Sequence, residues 1–304
     1  MESLVHFALQ EQYKKVKKLR SKLENMNKLL DWEKFLKFFP ERPTLVGRPN
    51  YEKILMTKLL FLQGWYGLSD EEVEFQVNDR FSFQQFLDFP KTVPDYSTVW
   101  RFREELQEDD KIDKLWEELQ RQIDEKNIKV EKGVIQDAVF VVAEPGKTRS
   151  GMDKRGQAAK TSRSKDGSWT KKGKKSYFGY KAHTKVQRGS KIVKELAVTT
   201  ARVHDGAIDL AAADEVIYRD KGYTGIKTKA KGDATMKRGN LSVKDKLRNK
   251  RIVKKRNQGE HPYATVQRSL KGGKTKLTTV SRVFVQQAFV FMAYNLFRLE
   301  FLLR

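Results

Sequence analysis

Three acidic side chains stand out by their settings. Asp137 lies within VIQDAVFVVA, Val134 to Ala143, a run that is otherwise almost wholly apolar and rich in β-branched residues. Such a run reads as a central strand. Burying a lone carboxylate there costs several kcal/mol unless a cation, a partner or a chemical task compensates. A strand Asp paired with a lysine is the plain alternative. Asp220, in YRDKGYTG, follows a short strand and precedes Gly222 and Gly225, which permit a sharp turn. The C-terminal edge of a sheet is where α/β folds commonly build sites, although Asp also favours ordinary turns. Glu260, in RNQGEHPYATVQRSL, is a single acid in a densely basic segment. Pro262 argues against an unbroken helix and suits the first turn of a helix that starts near Glu260. Within a helical segment Arg256 would share a face with Glu260, and an exposed pair of that kind contributes at most about 1 kcal/mol.

Carboxylates from three separate segments could meet at one sheet edge. Hard cations such as Mg²⁺ or Mn²⁺ take a few carboxylate oxygens and leave the remaining positions to water and substrate phosphates. Two such ions about 4 Å apart suit in-line displacement at a phosphodiester. His183, His204 and His261 form the rival metal set, but their spacing matches no compact zinc motif. The absence of cysteine excludes disulfides and thiolate-bound zinc or iron–sulfur clusters.

The elements that must position these acids fall into two textures. Residues 1–130 read as a helical N-terminal domain. Leu19, Leu23, Met26, Leu29 and Leu30 recur at helical spacing, Trp32 to Phe39 continues in that style, and Pro40 and Pro43 stop it. Tyr51 to Tyr66 predicts a strongly buried helix. Ser69 and Glu72 stand at capping-box spacing, and Asp95 can cap a helix with Val99, Phe102 and Leu106 on one face. Short helices with tight turns permit a helix-turn-helix or a dimerising bundle.

Residues 131–304 read as an α/β domain. After the Val134–Ala143 strand comes a basic, Gly-rich loop over 144–175. Ser176 to Gln187 and Lys191 to Thr199 predict a hairpin. A short helix is expected over Asp205 to Asp214 and a strand over Glu215 to Tyr218. Ser242 to Lys250 and an amphipathic tail, Val280 to Leu303, read as helices. A hairpin beside a parallel element implies a mixed sheet covered by helices.

Charge names the partner class. The 304 residues carry a formal charge of +23, but residues 1–130 hold 22 basic against 24 acidic side chains, while 131–304 hold 40 against 15. An excess confined to one half implies a polyanionic partner, a nucleic acid, with a ribosomal-type or merely well-solvated protein as the plain alternative. No apolar run is long enough for a membrane span, and MESLVHFALQEQYKKVKK is a poor secretory signal. The expected place is the cytoplasm.

From about Gly47 to Leu303 the chain resembles the insertion-sequence transposases of the group numbered five. GRPNYEKILMTKLLFLQGWYGLSDEEVEFQVNDR and VPDYSTVWRFREEL are similar to that group's N-terminal domain. IQDAVFV resembles its first-Asp strand, and KKGKKSYFGYKAHTKV its second strand. VTTARVHDGA resembles the segment after the third, YRDKGYTG the second-Asp motif, and RNQGEHPYATVQR the signature holding the Glu. The resemblance implies a ribonuclease-H-like catalytic core in which Asp137, Asp220 and Glu260 bind two Mg²⁺ or Mn²⁺ ions. It implies strand cleavage at element ends, transfer of the freed 3′-hydroxyl into target DNA, double-stranded DNA as partner on a prokaryotic nucleoid, and a homodimer pairing the two ends. Arg256 would contact DNA phosphate, with further contacts expected from Arg268, Lys181, His183 and Lys221. Val253 stands where the family has Tyr, and Gln267, beside Arg268, where it has Lys. A repurposed DNA-binding derivative and a ribonuclease-H-like nuclease are the competing readings.

Overall fold

The computed structural model describes residues 11, 14, 22–39, 50–146 and 166–304. The expected stop at Pro40 and Pro43, and positions 147–165 of the basic loop, lie outside these residues. In the N-terminal part, α1 (Lys22–Leu29) buries Leu23 and Met26 on one stripe. The segment Trp32–Phe38 is a 3-10 helix and does not continue α1. Gln122 explains the break. Its amide accepts from the Asp31 N–H at 2.8 Å and donates to the Asp31 carbonyl at 3.0 Å, taking backbone groups that a continuous helix would use.

α2 (Lys53–Tyr66) is buried on nearly every side, as its apolar composition predicts. α3 (Asp70–Asp79) opens with the expected capping box. Ser69 Oγ accepts from the Glu72 N–H at 3.2 Å, and Glu72 Oε2 accepts from the Ser69 N–H at 2.7 Å. Ser69→Ala should cost about 1 kcal/mol, read as a lowered urea midpoint at unchanged slope; an unmoved midpoint would show that the cap is idle. α4 (Phe81–Phe86) follows. Asp95 then caps α5 (Tyr96–Glu105) by accepting from the Thr98 N–H at 2.7 Å, with Val99 and Phe102 buried. α6 (Lys111–Asp124) completes this part.

The sheet is mixed. β1 (Val134–Ala143) is central, flanked by β3 (Lys175–Gln187), antiparallel, and by β5 (Val216–Arg219), parallel. β6 (Gly232–Thr235) extends the sheet parallel to β5. β4 (Val193–Thr200) pairs with β3 as the expected hairpin. β2 (Ser168–Lys172) also pairs antiparallel with β3, so the end of the segment read as a loop is a strand. Its residues alternate too weakly in polarity to signal this; the pairing edge of β3 supplies the ladder. β6 was likewise not predicted.

The helix expected over Asp205 to Asp214 reduces to a 3-10 turn, Asp205–Ala207. Side chains satisfy the next N–H groups instead. Gln136 Oε1 accepts from Leu210, Asp209 Oδ1 from Ala211, and Glu215 Oε2 from Ala212. Further on, α7 (Val243–Arg256) and α8 (Glu260–Arg268) are joined by a single 3-10 turn, Asn257–Gly259. β7 (Lys274–Thr275) pairs parallel with the end of β1.

α9 (Val280–Leu302) departs from the amphipathic expectation, being buried almost all round. Its polar residues look like a wet stripe but bond inward. Asn295 accepts from the Val193 N–H at 2.9 Å and donates to its carbonyl at 2.8 Å, while Gln287 donates to the Gly272 carbonyl at 3.0 Å. One continuous hydrophobic core therefore runs from α1 through α2 and α9 into the sheet.

Candidate active site

Antiparallel pairing sets Asp137 opposite Thr184, so the two side chains share a sheet face. That face lies under α8. Thr184 Oγ1 and the Tyr263 hydroxyl are 2.7 Å apart. A Cβ at Gly259 would come within 2.7 Å of Ile135 Cγ2. Only a residue without a side chain lets the α7–α8 turn lie this close to β1, and Ile135 points to the same face as Asp137. The turn delivers Glu260 and Arg256 beside the strand.

β5 supplies Asp220. Parallel pairing sets Val134 against Ile217 and Ile135 against Tyr218. Asp137 and Asp220 each lie two residues beyond the last paired positions, Ile135 and Tyr218, and the charge of Asp220 reaches Asp137. Asp220 caps the 3-10 turn Lys221–Tyr223, its Oδ1 accepting from the Gly222 N–H at 2.7 Å. Asp137 Oδ1 accepts from the Ala138 N–H at 2.9 Å.

Arg256 stands between the acids. Its Nη1 is 2.6 Å from Asp137 Oδ2, and its Nη2 is 3.9 Å from Glu260 Oε1. Burial raises the Asp137 carboxyl above its usual range; Arg256 opposes that shift, and the negative charge of Asp220 adds to it. The Asp137 carboxyl thus sits partly buried beside the charge of Asp220, with the Arg256 guanidinium and the Ala138 N–H as its partners. Glu260 is exposed on the solvent side of the same guanidinium.

Among the described residues, no three His, Asp or Glu side chains are gathered closely enough to hold a metal ion in this arrangement. The donor set nevertheless fits a hard divalent cation. All three acids offer carboxylate oxygens, Asp137 and Asp220 adjoin, and the charge that Arg256 balances is one that a cation could balance in its place.

The other expected contacts divide. Lys221 is exposed next to Asp220, and Arg268 is exposed at the end of α8. Lys181 and His183 do not join this group. Pairing with Phe140 and Ala138 turns them to the opposite face from Asp137, and both are buried. The Lys181 ammonium bonds Asp205 Oδ1 at 2.8 Å and the Val203 carbonyl at 2.7 Å, while His183 Nε2 meets Thr199 Oγ1 at 2.8 Å. As folded, they serve the core of that face, a placement that only the cross-strand register reveals. Tyr263 was missed by sequence reasoning; its position three after Glu260, on the inward side of the helix, was the available signal.

Burial pushes His183 down to about 4, with Asp205 opposing and Lys181 reinforcing. A histidine in the unfolded chain titrates near 6.5. The neutral buried form is therefore fully favourable above about pH 6.5, and the advantage is lost as pH falls towards 4. Between about pH 7 and pH 5 the loss should be on the order of 2 kcal/mol. Urea unfolding measures it, and His183→Gln should remove this part of the slope.

Residues 10–105 match the transposase domain family DUF772, and residues 123–296 match the transposase DDE domain family. No solved structure matches the chain. The second match spans more than half of the protein and includes Asp137, Asp220, Arg256 and Glu260. The chain belongs to the transposases with a DDE domain, enzymes that act on DNA.

Proposed function

We propose that Asp137, Asp220 and Glu260 are the metal-binding acids of this transposase, and that it cuts DNA at element ends and joins the freed 3′-hydroxyl to target DNA. The observation that carries this reading is the shared register of β1 and β5, with Glu260 delivered by the close approach of Gly259 to Ile135. Two Mg²⁺ or Mn²⁺ ions held there would activate the attacking oxygen and stabilise the leaving one.

The protein's own groups do the rest. Asp137 and Asp220 form the fixed pair on the sheet. Glu260, at the exposed start of α8, turns inward to complete the set. Arg256 leaves Asp137 and takes a DNA phosphate, a task its planar fork of donors suits. Lys221 and Arg268 add exposed charge beside the acids. The run β4-β3-β1 of antiparallel strands continued by β5 and β6, both parallel to β1, supports a ribonuclease-H-like core, and the motif resemblance supports the group numbered five. The helical part, 1–130, would bind element ends, pair two copies as a homodimer, or both.

Labelled element-end DNA incubated with Mn²⁺ tests this reading. Nicked and joined products are expected. Shifted but intact DNA would instead favour a DNA-binding derivative, a reading helped by Val253 and Gln267. Cleavage of RNA–DNA hybrids without joining would favour a nuclease.

A further inference from the structure

We infer that the solvent face of α7 is a phosphate-binding rail, which grips the DNA flanking the reacting phosphate and fixes its position relative to Asp137. The inference rests on the transposase reading for the direction in which the rail leads.

α7 turns Asn249 and Ile252 inward and leaves Lys244, Lys246, Lys250, Arg251 and Lys254 exposed. Among the described residues none of these five has an ion-pair partner. The one acid of the helix, Asp245, is engaged by Lys237 at 2.7 Å and by its cap, Ser242. Several cations of the helical part are paired. Lys28 pairs with Glu24, Lys37 with Glu118, Lys53 with Glu105 and Arg103 with Asp70. α7 instead gathers five unpaired cations within eleven residues of one helix. Ion pairing within the fold does not account for such a row, and like charges along a helix repel. It fits a polyanion.

The helix is held rigidly enough to set a register. Asn249 donates to the Lys237 carbonyl at 2.9 Å and accepts from the Lys237 N–H at 3.0 Å. Arg248 donates to the Thr235 carbonyl at 2.8 Å, and Lys255 to the Tyr218 hydroxyl at 3.2 Å. Its last residue is Arg256, against Asp137. From Lys244 to Arg256 an α-helix rises about 18 Å, the length of roughly five base pairs of duplex. Val243 and Leu247, exposed on the same face, offer apolar contact to sugar edges.

The test is a salt titration of binding to a short labelled DNA duplex of mixed sequence, using the full chain without divalent metal so that no cleavage intervenes. Lys250→Gln, Arg251→Gln and Lys254→Gln are combined in one variant. A control combines Lys132→Gln, Lys174→Gln and Lys175→Gln, which are exposed, lie off α7 and outside the helical part, and remove the same charge. Each lost phosphate contact lowers the slope of log affinity against log salt by about 0.9, so the α7 variant should be flatter by about 2.7. The control should match the parent. Equal slopes for the two variants would overturn the inference. Because binding is read without metal, failure of the catalytic reading leaves this outcome unaffected, and failure here leaves cleavage by the acids to be judged separately.

Discussion

Asp137→Asn is expected to lower strand cleavage by on the order of a thousandfold or more while leaving DNA binding largely intact. The change is nearly isosteric. The amide oxygen can still accept from the Ala138 N–H, so β1 and its pairing persist. What disappears is the anionic oxygen that now meets Arg256 and that would ligate a cation. Arg256 then has no counter-ion on the sheet and is freer to meet phosphate, so affinity for DNA should hold or rise. Cleavage of labelled DNA with Mn²⁺, read beside a gel shift, checks both halves. Cleavage at the parent rate would remove Asp137 from the chemistry.

The largest stability effect should come from Gly64→Leu, far from the acids. Gly64 lies in α2, where a Cβ would come within 2.7 Å of the backbone C and O of Phe289 in α9 and 3.0 Å of the Val290 N. These are backbone atoms of a buried helix, so they cannot swing aside as a side-chain tip would. Replacing a helical glycine ordinarily gains up to about 1 kcal/mol. Here that gain is outweighed, and a Leu should cost about 3 kcal/mol or more, at the upper end of overpacking effects. The damage spreads along α9. Phe289 packs edge-on against Phe61, and Asn295 holds the start of β4. Urea unfolding measures the loss, and a midpoint equal to the parent's would show that the two helices do not pack this closely.

Much of this architecture was legible where local chemistry suffices. The Val134–Ala143 strand, the hairpin after it, the Ser69–Glu72 box, the Asp95 cap and the helix opening at Glu260 each depend on neighbours within a few residues. What escaped depends on partners far along the chain. β2 and β6 exist because a strand edge was available to them. The segment after Asp205 is extended because Gln136 and Glu215 take its N–H groups. α9 looks amphipathic until Asn295 and Gln287 are seen bonding inward. The three acids were visible as anomalies of setting, but the Arg256–Asp137 pair and the turning away of Lys181 and His183 required the register between β1, β3 and the α7–α8 turn.

The central claim is that Asp137, Asp220 and Glu260 share divalent cations. Direct titration of Mn²⁺ into the DNA-bound protein, followed by electron paramagnetic resonance of the free ion, tests it without reference to turnover. The parent should bind two ions per protomer, and Asp137→Asn, Asp220→Asn and Glu260→Gln should each lose or greatly weaken at least one. Parent-like binding of Mn²⁺ by all three variants would contradict the account.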